Sequence, residues 1–139
     1  MLKLLIGKKG TGKTKVLIDS VNVAANEANG NVVFISNDTG RNMYDIKSKV
    51  RMADTSEFRI DSWKEFLGFI CGIISSNFDI TNIYVDGVLK IVNNSLDGFE
   101  EFLKDIDEVS EKFNIDVMIS VSMDVNEAPE YAKKYATKI

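Results

Sequence analysis

Eight residues near the start of the chain carry the clearest chemical pattern: Gly7, Lys8, Lys9, Gly10, Thr11, Gly12, Lys13 and Thr14. Their spacing is G-x-x-x-x-G-K-[ST]. At an average glycine usage of ~7 %, the four fixed positions coincide by chance in well under ~1 % of chains this long. Successive backbone N–H groups in a tight loop make a concave seat for an anion. Glycines at 7, 10 and 12 permit positive φ and close backbone approach where a Cβ would clash. If the loop opens into a helix, free N–H groups and the positive helix pole add to the attraction. The expected ligand is a triphosphate held by residues Gly7 through Lys15. The Lys13 ammonium would meet the β and γ phosphates, and the Thr14 hydroxyl would meet Mg²⁺.

Such a loop needs a strand before it and a helix after it, and both are readable. Leu2-Lys3-Leu4-Leu5-Ile6 is a nearly continuous apolar run, as a central parallel strand requires. From Lys13 to Ala28, Leu17, Val21, Ala24, Ala25 and Ala28 recur at helical spacing. Asn29-Gly30-Asn31 ends that helix, with Gly30 expected as a left-handed cap. Val32 to Ile35, Asn82 to Asp86 and Val117 to Ser122 read as three further strands. Phe58-Arg59-Ile60 reads as a short fifth. Between the strands lie helical patterns. Met43, Ile46 and Val50 mark a short amphipathic one, with Arg41, Lys47, Lys49 and Arg51 on its basic side. Ser62 and Glu65 form a capping box ahead of Trp63, Phe66, Leu67, Ile70, Ile73 and Ile74, where Cys71 reads as a buried small side chain. Another helix is expected from Asn93-Asn94-Ser95, with a stripe running from Leu96 to Phe113. A terminal helix is expected from Asp124, with Pro129 in its first turn. Strands alternating with helices predict an α/β protein: a three-layer αβα sandwich around a small, mainly parallel sheet.

In such sheets ligands bind beyond the carboxyl ends of the strands, so polar residues there become candidates. Asp86 ends one strand. Asp38 and Arg41 follow another, Asp38 as a base or metal ligand and Arg41 on phosphate. Ser120 and Ser122 close a third.

On the Gly7–Thr14 loop and its flanks, the chain resembles the P-loop NTPase superfamily. Asn82 to Asp86 is similar to the Walker B element, which implies Asp86 as a Mg²⁺ ligand opposite Thr14. The resemblance implies ATP or another NTP as ligand, Mg²⁺ as cofactor, and a slow Mg²⁺-dependent NTPase, with a non-catalytic nucleotide switch or adaptor as the alternative. ATP is preferred by superfamily habit, and no N-K-x-D segment of the GTPase kind is present. Many of these ATPases carry a catalytic glutamate directly after the Walker B aspartate; here that residue is Gly87. RecA-like members can place the base at the neighbouring strand end, which implicates Asp38. The same branch puts the fourth strand between the first and third. A small-molecule kinase would need more arginines than Arg41, Arg51 and Arg59 and a lid-sized insertion. A pilus-type motor would need a histidine motif, and the chain has no histidine.

Composition narrows the field. At 139 residues one domain spanning 1–139 is expected. A single cysteine and no histidine exclude an internal disulfide framework, an ordinary structural zinc site and any Ser-His-Asp or Cys-His mechanism within the chain. The net charge of −4 gives no strong nucleic-acid signal. No apolar run reaches membrane-spanning length, and a start directly on a strand leads to the expectation of no signal peptide and a cytoplasmic location. With a fifth strand reduced or absent, an open sheet edge becomes a place for a homo-oligomer contact or a protein partner.

Overall fold

The apolar runs become strands and the periodic runs become helices, in a computed structural model that describes residues 1–139. In chain order the elements are β1 (Leu2–Gly7), α1 (Lys13–Glu27), β2 (Asn31–Ser36), β3 (Arg51–Asp54), α2 (Trp63–Ser75), β4 (Ile80–Val85), α3 (Val88–Ile91), α4 (Phe99–Phe113), β5 (Asp116–Ser122), α5 (Glu130–Lys133) and β6 (Ala136–Thr137). The sheet is six-stranded, ordered β3-β2-β4-β5-β1-β6, and every pairing is parallel. The expected three-layer α/β sandwich is therefore present. The strand bearing the serines, β5, lies between β1 and β4 as the RecA-like order requires. No helix is long and apolar enough to cross a membrane.

Strand alternation divides the core. Leu4, Val33, Ile35, Ile83, Val85, Val117 and Ile119 face α2, α3, α4 and α5 in a cluster of 26 buried residues. Leu5, Val32, Phe34 and Tyr84 face α1 in a cluster of only nine. The larger side is aromatic. Trp63 stacks on Phe99 at 4.6 Å between ring centroids, Phe66 on Phe102 at 5.7 Å, and the edge of Tyr131 meets Phe99 at 5.8 Å. The capping box forms: Glu65 N donates to Ser62 Oγ at 3.2 Å, while Glu65 Oε1 accepts from Asp61 N at 3.0 Å.

Several expectations fail for local reasons. The short strand is Arg51–Asp54, not Phe58–Ile60. It has no aromatic or β-branched residue and pairs because β2 offers a free edge. Residues 42–50 form turns, not a helix. Asn22 of α1 takes over the hydrogen bonding there, donating to the Asp45 carbonyl at 2.8 Å and accepting from Lys47 N at 3.0 Å. The helix expected from Asn93 starts only at Phe99, because Asn93, Asn94 and Gly98 all have positive φ. The terminal helix is one turn, and Pro129 precedes it as its cap. Proline cannot donate and disfavours helix in the residue before it, so the chain breaks there and returns as β6 beside β1. Cys71 is half-buried rather than buried.

Gly30 is not left-handed. It is glycine because an added Cβ would run into the Asp79 backbone carbonyl oxygen, which already accepts from Asn31 N at 2.7 Å. Gly30→Ala must displace the chain before β4. It is expected to lower stability by about 1–3 kcal/mol, the usual range for overpacking, measured as the shift in urea midpoint at unchanged m.

Candidate functional site

The loop after β1 turns on two left-handed glycines, Gly10 with φ 88° and Gly12 with φ 89°. Gly7 has ordinary φ and serves by its size: a Cβ there would lie 2.7 Å from Thr11 Oγ1 and from Ile139 Cδ1. Of the three glycines, only 10 and 12 therefore use positive φ. The Lys8 carbonyl gathers the loop, accepting from Thr11 N at 3.2 Å, from Thr11 Oγ1 at 2.7 Å and from Lys13 Nζ at 3.0 Å. Gly12 caps α1 without a side-chain acceptor, and no acidic residue occupies the first turn. The positive end of a 15-residue helix thus opens onto the loop with no acidic residue of its own in the first turn.

Opposite the loop stands Asp86, just past β4. Its Oδ1 accepts from Thr14 Oγ1 at 3.2 Å and from Ser120 Oγ at 3.1 Å. Ser120 also accepts from Gly87 N at 2.7 Å. Its hydroxyl is therefore engaged in orienting the carboxylate, while Ser122 lines the open cavity. Gly87, with φ 68°, turns the chain into α3, whose Val88, Leu89 and Ile91 pack into the core.

Between loop and carboxylate lies a cavity of about 610 Å³. Its lining includes Lys9, Lys13, Lys15, Arg41 and Lys90, against Asp86 as the one carboxylate and Leu89 as the one apolar side chain. A chain with net charge −4 therefore concentrates positive charge here. Low-dielectric walls intensify such a field. Lys13 is 6 % exposed. Burial holds its ammonium below the ordinary lysine range; Asp86 partly restores it and Lys90 opposes it.

Asp38 lies apart from the loop cavity. It borders a smaller adjoining space of about 330 Å³ together with Arg41, Asp86, Gly87 and Lys90. Its backbone N–H donates to Ser36 Oγ at 3.1 Å. The segment that carries Asp38 and Arg41 is tied down by Asp54 of β3. The Asp54 carboxylate accepts from Thr39 N at 3.2 Å and Thr39 Oγ1 at 3.1 Å, and from Ser56 N and Oγ at 2.9 and 2.6 Å. The Ser56 hydroxyl foremost, with the other donors, holds that carboxyl below the usual carboxylate range. Sequence reading missed Asp54, Lys90 and Asn94. Lys90 and Asn94 reach the cavity from α3 and the turn after it. The signal for Lys90 was its place one turn beyond Asp86; nothing local marked the other two. Lys8 pairs with Asp124 at 3.4 Å, and Lys9 and Lys15 stand exposed on the cavity lining.

The sheet, the loop and the strand-end carboxylate constitute a P-loop NTPase-like fold. In the solved structures 178 chains match it, so the architecture is too widely shared to name an activity. Among them a KaiC-like protein from the hyperthermophilic archaeon Pyrococcus horikoshii matches with a TM-score of 0.66 and 18 % identity over 94 % of this chain. The chain spans 64 % of that protein's length. No family profile and no curated protein matches the sequence. The likeness to the archaeal protein is one of fold.

Proposed function

We propose that this chain binds a Mg²⁺-nucleoside triphosphate, with ATP preferred, and hydrolyses it slowly. The observation that carries the reading is the 3.2 Å approach of Thr14 Oγ1 to Asp86 Oδ1, two residues 72 positions apart in the chain. One hydroxyl and one carboxylate facing an anion-binding loop suit Mg²⁺, which keeps several waters and takes its remaining ligands from phosphate. When bound, the ion would neutralise phosphate charge.

The chain's own residues supply the rest. Lys13 would exchange the Lys8 carbonyl for phosphate oxygens, and the loop N–H groups would hold the phosphate chain. Lys90 and Arg41 would offset charge at the far end of the cavity. In hydrolysis a water oxygen bonds to the terminal phosphorus as the bond to the diphosphate oxygen breaks, and the released proton needs an acceptor. Asp38, bordering the adjoining space, is the candidate within this chain. A second reading, a nucleotide-binding switch without turnover, is favoured by one observation: Asp86 is the one carboxylate lining the main cavity, and Gly87 stands where a glutamate would orient water.

Lys13→Ala removes a charge-assisted contact of ~1.5–3 kcal/mol. It is expected to weaken Mg·ATP binding by about 10- to 100-fold in calorimetric titration; unchanged affinity would sink the proposal. The lowered Lys13 pKa sets a pH dependence. Phosphate favours the ammonium, so the bound form has the higher pKa. Above the free-state pKa binding must take up a proton, and affinity falls as pH rises through the alkaline range. Heats compared in buffers of different ionisation enthalpy should show that uptake in the native protein and not in Lys13→Ala. Phosphate release measured across a protein dilution series separates the two readings. Release linear in protein and lost in Asp38→Ala supports hydrolysis within the chain, and binding without release makes the protein a switch.

A further inference from the structure

The two longest helices on the aromatic side of the sheet, α2 and α4, leave a groove of about 600 Å³ between them. Its floor is formed by Trp63, Leu67, Cys71 and Phe102. The Cys71 thiol is held protonated by burial and by the nearby Asp105, which keeps the floor uncharged. One wall carries Asp97, Glu101 and Asp105, and none of the three takes part in an ion pair. Lys64 is the one cation on the lining.

The glycines of α2 sharpen the picture. Gly68 lines the groove and Gly72 follows one turn later. Glycine inside a helix costs stability relative to alanine. A Cβ at either position would meet nothing within 4 Å, so no contact inside this chain requires them. Gly68 lowers the rim on the α2 side and lets another backbone come close. An apolar floor, a low glycine wall and an unpaired acidic wall fit a helix with an apolar stripe flanked by cations. The 13 residues of α2 set the length, about 20 Å at 1.5 Å per residue.

We propose that the α2–α4 groove docks a basic amphipathic helix from a partner protein. The proposal is independent of nucleotide binding, although the groove lies close to the proposed nucleotide site. Trp63 Nε1 donates to the Ser95 carbonyl at 2.8 Å, and the residue before, Asn94, lines the loop cavity.

Trp63 is the only tryptophan, so its emission reports the groove directly. The test uses the full chain and an 18-residue amidated peptide with leucines at helical spacing flanked by lysines. A control peptide carries glutamate at every lysine. The lysine peptide should shift Trp63 emission saturably and bind at least tenfold tighter than the control. Glu101→Lys combined with Asp105→Lys should weaken it at least tenfold. Gly68→Leu should abolish binding while thermal unfolding stays at or above wild type, since the new side chain fills open space on a helix. Three results would each overturn the proposal: no saturable shift with the lysine peptide, equal binding of both peptides, or unchanged binding by Gly68→Leu. So would a wild-type dimer in sedimentation that Gly68→Leu dissociates, which would assign the groove to a second copy of the chain.

Discussion

The arrangement of the site depends on Asp86 being shared. Its Oδ1 accepts one hydroxyl from the start of α1 and another from the end of β5. These groups meet only because every strand runs the same way, which brings the carboxyl ends of β1, β4 and β5 to one edge of the sheet. The register is specific. Val85 sits opposite Ile119, which places Ser120 one step on, level with Asp86. A slip of one residue on β5 would turn Ser120 to the opposite face and bury a different set of side chains. The 26-residue core against which those faces pack resists such a slip.

The same constraint explains the positive charge. Lys13 is buried, other cations surround it, and a single carboxylate balances them. Burial disfavours the Lys13 ammonium and Lys90 adds to that, while Asp86 works against it, so its pKa lies below the ordinary lysine range. The loop relieves this in part by turning Lys13 onto the Lys8 carbonyl. An incoming polyanion would relieve it more completely, which is the physical basis of the nucleotide binding proposed above.

The two faces of the sheet divide the labour. On the α2–α4 side, stacked aromatics make a thick and rigid support beneath Asp86. On the α1 side nine buried residues suffice; Ile46 and Val50 anchor the later part of the 37–50 segment among them, while Thr39 is held by the Asp54 carboxylate. Few apolar contacts characterise parts of a fold that open most easily. Asp38 and Arg41 stand on the 37–41 stretch, which has no buried side chain, so the wall beside the proposed terminal phosphate is the more adjustable one.

Local pattern determined what local physics can determine. The runs at 2–6, 32–35, 82–86 and 117–122 read as buried strands, and Gly10 and Gly12 sit where the backbone needs positive φ. The capping box at Ser62 was readable in the same way, while Asp86 as the partner of Thr14 came from the resemblance of its strand to a Walker B element. Tertiary structure decided the rest. Met43, Ile46 and Val50 have helical spacing, yet a side-chain amide from α1 satisfied the backbone and turns resulted. Arg51–Asp54 has little strand preference, yet the open edge of β2 recruited it. Gly30 looked like a cap and is instead a point of close approach to Asp79, a neighbour 49 positions away that no window of sequence contains. Lys90, Asn94 and Asp54 belong to the site or its support for the same reason. Their role comes from which strand ends and turns the parallel sheet brings together, and that is settled by long-range pairing and burial rather than by the residues on either side.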